Sequence, residues 1–176
     1  IPGQGLDDVP WLPAIGTAVH TLLEGFLADD NKNRPAPRWM IEKRVSVGKI
    51  GDNEITGSCD LFDLETNTVI DHKVVGATKP RDVPKKGPGA MYRVQAHLYG
   101  LGWKNAGYEV NEVAVKFYPR NHVSLAAGFF WSEPYNEQIA IAAMERANEV
   151  YTAVSALKSS EDGLKVYFKS LPTASG

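Results

Sequence analysis

From Ile15 to Leu27 the apolar side chains fall at Ile15, Ala18, Val19, Leu22, Leu23, Phe26 and Leu27. That is the i, i+3, i+4, i+7 recurrence of an amphipathic helix. Pro13 suits its first turn, and the polar tract Asp29-Asp30-Asn31 ends it. A Pro-bearing connector from Arg34 to Arg38 leads to a strand at 39–47, the turn Gly51-Asp52-Asn53, and a second strand at 54–64. The polar residues 65–68 read as a turn before a third strand, 69–75. The segment from Gly76 to Gly89 holds three Pro, three Gly and a cluster of cations, which predicts a long loop. A second helix follows at 90–106, with Met91, Val94, Leu98 and Leu101 inward and Gly107 as its stop. Val113, Val115 and Phe117 alternate with other residues in a fourth strand; a fifth is expected at 123–131. The last helix, 136–157, carries its stripe at Ala140, Ala143, Met144, Ala147, Tyr151 and Val154. The order α-β-β-β-α-β-β-α predicts an α/β fold, a central mixed sheet flanked by helices.

Composition narrows the classes. A chain of 176 residues predicts one compact domain spanning 1–176. With 43% hydrophobic and 23% charged residues, it is neither a disordered tail nor a coiled coil. The longest wholly apolar stretch, Leu125 to Trp131, is far too short to span a bilayer, so no membrane role is expected. Cys59 is the one cysteine, which excludes a disulfide scaffold. No charged-then-apolar leader opens the sequence, so the cytoplasm is the expected compartment. The chain begins at Ile1, as a fragment or a processed product would. Lys plus Arg number 19 against 21 Asp plus Glu, a net charge of −2, so any nucleic acid must be met by a local basic patch.

Candidate chemistry concentrates on two strands, around Gly57-Ser58-Cys59-Asp60 and Ile70-Asp71-His72-Lys73. Residues two apart in a strand share a face, so Asp71 and Lys73 point the same way. A four-residue turn between the strands also brings Asp60 to that face. Two carboxylates and an ammonium on one spot of a sheet form either an internal salt bridge or a metal-neutralised cluster, and edge-strand solvation is the plain alternative. His20 lies on the flank of the first helix's apolar face. Gln95 and Tyr99, at i and i+4, share a surface of the second helix. Glu42, in the first strand, is expected to face water. Lys79, Arg81, Lys85, Lys86 and Arg93 fall within fifteen residues with Asp82 as the one acid among them. They read as either a solvated loop or a phosphate-contacting patch.

Taken in order, Gly16-Thr17-Ala18-Val19-His20, Gly57-x-x-Asp60, Asp71-x-Lys73 and Gln95-x-x-x-Tyr99 resemble the PD-(D/E)XK nucleases. The likeness is to their RecB-type branch, with its phage exonucleases and CRISPR-associated adaptation nucleases. It spans about Gly16 to Tyr118, and the element order agrees with the restriction-endonuclease-like αβββαβ core.

The resemblance implies a metal-dependent DNA nuclease, an exonuclease of phage or bacterial recombination and repair. A structure-specific endonuclease and a catalytically idle nucleic-acid-binding module of the same fold are the alternatives. It implies that Asp60 and Asp71 ligate Mg²⁺ or Mn²⁺, one or two ions, with the His72 backbone carbonyl completing the inner shell and His20 as an extra ligand. Lys73 would orient or help deprotonate the attacking water, and Gln95 and Tyr99 would position the substrate backbone or Lys73. A nitrogen ligand tilts preference toward Mn²⁺. Lys79, Arg81, Lys85, Lys86 and Arg93 would contact DNA. Several relatives hold an iron–sulfur cluster through cysteines this chain lacks, so a cluster would need cysteines outside it. A recombination partner protein and a homo-oligomer stay open, and a phage-encoded enzyme would work in the bacterial host cytoplasm. An unrelated α/β phosphohydrolase is disfavoured, because no Gly-rich phosphate loop and no nucleophile elbow is present.

Overall fold

The computed structural model describes residues 10–76 and 78–157; the ends of the expected 1–176 domain lie outside the described residues. The elements run α1 (Trp11–Lys32), β1 (Trp39–Ile50), β2 (Asn53–Asp63), β3 (Thr68–Val75), α2 (Thr78–Lys86), α3 (Ala90–Asn105), β4 (Glu112–Pro119), β5 (Phe129–Pro134) and α4 (Glu137–Leu157). The five strands form one mixed sheet in the order β1-β2-β3-β4-β5. All neighbours are antiparallel except β3 and β4, which α2 and α3 connect as a parallel crossover. The fold is α/β, a five-stranded mixed sheet flanked by helices, consistent with a restriction-endonuclease-like core.

The core lies between α3 and the sheet. Trp103 stacks on Phe62 with ring centroids 4.5 Å apart, and Tyr92 meets Phe117 edge-on at 5.8 Å. Val45, Cys59, Val69, Val113 and Val115 complete it. The helix approaches β1 so closely that a Cβ at Gly102 would lie 2.5 Å from Val45 Cγ2, so only glycine fits there. The buried face of α3 is therefore Ala96, His97, Gly100 and Trp103, and not the expected Met91–Val94–Leu98–Leu101 stripe. Met91 is 73% exposed. Small residues let the helix sit close to the sheet, whereas the bulkier stripe is turned aside.

Three further expectations are corrected. The segment predicted as a loop contains α2. Its prolines fall at the third and seventh helical positions, Pro80 and Pro84. The first of these costs no hydrogen bond, because first-turn N–H groups have no intrahelical partner. Val83 is buried against the core and anchors the helix, and Gly87, with φ +71°, ends it as its N–H bonds Val83 O at 2.8 Å. The fifth strand is Phe129–Pro134, later than expected, because Leu125–Ala127 forms a 3₁₀ turn capped by the Ser124 hydroxyl. The β2–β3 turn is also one residue early: Asp63 pairs with Thr68, so 64–67 form the turn. Its length is still four, and the parity that matters is kept.

Candidate metal centre

Three neighbouring strands bring one carboxylate each to the same region of the sheet. The β1–β2 ladder pairs Ile41 with Leu61 and Lys43 with Cys59, which sets Glu42 opposite Asp60. The β2–β3 ladder ends at Leu61 with Ile70, and one further step in that register sets Asp60 opposite Asp71. In the seam beyond the ladder, Asp60 Oδ2 accepts the His72 main-chain N–H at 2.7 Å. Lys73 donates to Asp71 Oδ1 at 2.8 Å and lies 2.7 Å from Oδ2. Asp71 is 1% exposed, and its Oδ2 makes no hydrogen bond. Ser58 Oγ donates to Glu42 Oε2 at 2.9 Å.

The helix α1 adds a nitrogen. His20 Nε2 lies 3.0 Å from the His72 carbonyl oxygen, and Nδ1 lies 3.7 Å from Asp60 Oδ1. A carbonyl can only accept, so Nε2 carries the hydrogen, and in the neutral ring Nδ1 keeps the lone pair. His20, Glu42 and Asp60 each offer a ligand atom, all within 4.8 Å of one another, whereas the expected ligand Asp71 is not in that set and is instead paired with Lys73. An octahedral ion about 2.1 Å from its ligands sets adjacent ones about 3 Å apart and opposite ones about 4.2 Å. The side chains would draw in around an ion to reach those separations, and one imidazole with two carboxylates is a donor set that fits a divalent cation.

Electrostatics point the same way. Burial, then the neighbouring Asp71 charge, pushes Asp60 up to about 6, although the His72 N–H, His20 and Lys73 pull it down. Burial also raises Asp71 above the usual carboxylate range, against the opposing pull of Lys73. His72 is driven down to about 4, by burial first and then by the charges of His20 and Lys73. Its Nδ1 lies 3.3 Å from the Tyr118 hydroxyl. Carboxyls crowded out of water resist ionising together until a counter-charge arrives.

On the α3 side, Gln95 Nε2 donates to the Tyr99 hydroxyl at 3.3 Å. Tyr99 rests on Gly57, where a Cβ would lie 2.9 Å from Tyr99 Cε1. Lys73 and Lys79 each hold their ammonium 5.6 Å from the centre of the Tyr92 ring, a cation–π geometry. The structure thus gathers His20, Glu42, Asp60, Asp71 and Lys73, with Gln95, Tyr99 and Lys79 on the flanking helices. Lys85 and Lys86 are exposed in the last turn of α2; Arg81 is on the same helix, with its side chain outside the described residues. Arg93 is engaged in a separate ion pair with Glu133 at 2.5 Å. Glu133 also accepts from the buried His97 at 2.6 Å.

Two residues escaped the sequence reading. Glu42 is exposed, as expected of a strand glutamate, but it also stands opposite Asp60, and only the strand register reveals that pairing. Tyr92 has a readable signal, since 92, 95 and 99 fall on one helix face. Cys59 is fully buried, and burial pushes its thiol up to about 12. One buried thiol does not fit an iron–sulfur cluster. Among the described residues, no helix is long and apolar enough to cross a membrane.

The chain matches no protein-family model and no curated protein sequence. Its fold is similar to that of SSO0001, with a TM-score of 0.51 and 16% identity over 78% of this chain and 58% of that one. It is also similar to a phage-related exonuclease from Haemophilus somnus 129PT, with a TM-score of 0.51 and 15% identity over 78% of this chain and 71% of that one. The chain thus spans less than two thirds of the length of SSO0001. At these identities the likeness establishes the architecture: this chain folds like SSO0001 and like a phage-related exonuclease.

Proposed function

We propose that the chain is a divalent-metal-dependent deoxyribonuclease that works as an exonuclease. The observation that carries this reading is the convergence of His20, Asp60, Asp71 and Lys73 on one seam of the sheet. That constellation sits in a fold shared with a phage-related exonuclease. Asp60, Asp71 and His20 would hold Mg²⁺ or Mn²⁺. Such an ion, when bound, lowers the pKa of its water and stabilises charge on the phosphate oxygens.

The chain's own residues do the rest. The His72 main chain orients both His20 and Asp60. Lys73, pinned by Asp71 and backed by Tyr92, offers a fixed ammonium to the attacking water and the scissile phosphate. Gln95 and Tyr99 position the backbone of the DNA or Lys73 itself. Lys79, Lys85 and Lys86 on α2 supply phosphate contacts that a chain of net charge −2 needs locally.

Linear and circular DNA, labelled and incubated with Mn²⁺, Mg²⁺ or EDTA, test the reading. Linear DNA should be degraded with either metal and spared in EDTA, and circles should survive. Asp60→Asn and Asp71→Asn should each abolish cleavage while circular dichroism stays native. Cleavage of circles would make the enzyme an endonuclease. Equal lack of degradation in all three conditions overturns the nuclease reading.

A further inference from the structure

We infer that Glu42 is a cation ligand, and that His20 ligates through Nδ1 with the His72 carbonyl as its orienting partner. The inference rests on the metal-dependent reading above and refines it. Glu42, Asp60 and His20 would hold the ion together, with the His72 carbonyl engaged by His20 Nε2.

Four independent features support this placement. The ladder sets Glu42 opposite Asp60, and the donor atoms of Glu42, Asp60 and His20 fall within 4.8 Å of one another. The Ser58 hydroxyl, from β2, holds the Glu42 carboxylate across the strand boundary at 2.9 Å. His20 Nε2 is occupied by the His72 carbonyl at 3.0 Å, which leaves Nδ1, the nitrogen nearer Asp60, as donor. Metal-bound histidines commonly donate their other ring N–H to such a carbonyl, which fixes tautomer and ring orientation. Finally, charge balances: with Asp71 neutralised by Lys73, the formal charges of Glu42 and Asp60 are the complement of one divalent ion.

The backbone of Glu42 bears on the same point. Its φ is +47°, in the left-handed region that residues other than glycine rarely adopt. A strand interior gains nothing from this conformation, and strain of this kind is held in place by the surrounding structure. A donor set of one imidazole and carboxylates suits Mn²⁺ better than Mg²⁺ or Ca²⁺.

The test is Mn²⁺ binding to the whole chain without DNA, by calorimetric titration and by the electron paramagnetic resonance of free Mn²⁺. Glu42→Gln should weaken binding by at least about tenfold, the scale set by metal-site partners. Asp60→Asn should abolish it. Glu42→Gly should bind as weakly as Glu42→Gln, yet melt no lower than the wild type in EDTA, because glycine relieves the left-handed backbone. That variant keeps the test decisive if Glu42→Gln folds poorly. Wild-type affinity in both Glu42 variants, with Asp60→Asn still dead, removes Glu42 from the ligand set and leaves the metal-dependent reading standing. Absence of Mn²⁺ binding by the wild type, or indifference of binding to Asp60→Asn, overturns that reading together with this inference.

Discussion

Lys73 reaches back two residues along β3 to Asp71, and the pair shares a face because strand side chains alternate. Asp71 is 1% exposed, so Lys73 is its charge partner as well as a candidate catalytic group. Lys73→Ala should therefore do two separable things. Turnover should fall by orders of magnitude with Mn²⁺ affinity kept, because an ammonium cannot ligate a cation and acts where charge builds in the transition state. In EDTA the variant should also lose up to about 3 kcal/mol of stability, since a buried carboxylate is left alone. Added Mn²⁺ should restore much of that loss. Thermal melts with and without metal, beside a single-turnover cleavage assay, check both; equal falls in rate and metal affinity would make Lys73 a structural residue. The alternation that placed Asp71 and Lys73 together was legible in the sequence. Glu42 was not, because its position depends on which residue of another strand it meets.

At the scale of elements, α2 shows how composition can mislead. Three prolines, three glycines and a run of cations read as loop, yet Val83 packs into the core and a helix forms around it. A helix presents its cations on a fixed surface, and Lys79 stands over the same Tyr92 ring as Lys73. Replacing Lys79, Lys85 and Lys86 with Gln should weaken binding of single-stranded DNA. The log–log salt slope should drop by about 2, at roughly 0.7 per lost phosphate contact. Titrations between low and physiological salt measure it; an unchanged slope would mean that α2 only keeps the surface solvated. The same contrast holds for α3. Its large apolar stripe suggested the buried face, but Ala96, Gly100 and Gly102 are buried there with Trp103, and at Gly102 the approach to Val45 leaves no room for a Cβ.

Across the whole molecule, the end of the sheet beyond the β2–β3 turn is tied by charge. Arg38 forms a two-pronged contact with Asp63 at 2.9 and 2.7 Å, and the Thr66 hydroxyl and the Glu65 N–H also bond that carboxylate. Burial opposes ionisation of Asp63, but Arg38 and these donors outweigh it and hold its pKa below the ordinary carboxylate value. A depressed carboxyl contributes stability above its unfolded pKa and loses it as pH falls through the folded value. Asp63→Asn should thus cost about 1–3 kcal/mol at pH 7. The gap to the wild type should shrink below about pH 4, as denaturant melts at pH 7, 4 and 2.5 would record. A constant gap would mean that packing, not charge, makes the contribution. The alternation of apolar and polar positions determined, by itself, the order of the main helices and strands and the common face of Asp60, Asp71 and Lys73. Those features follow from local periodicity and from the parity of one four-residue turn. Tertiary structure alone decided that α2 is a helix, which face of α3 is buried, where β5 begins, and that Glu42 meets Asp60. Each of these depends on what a segment packs against or pairs with, and long-range contact energy outweighs local preference there.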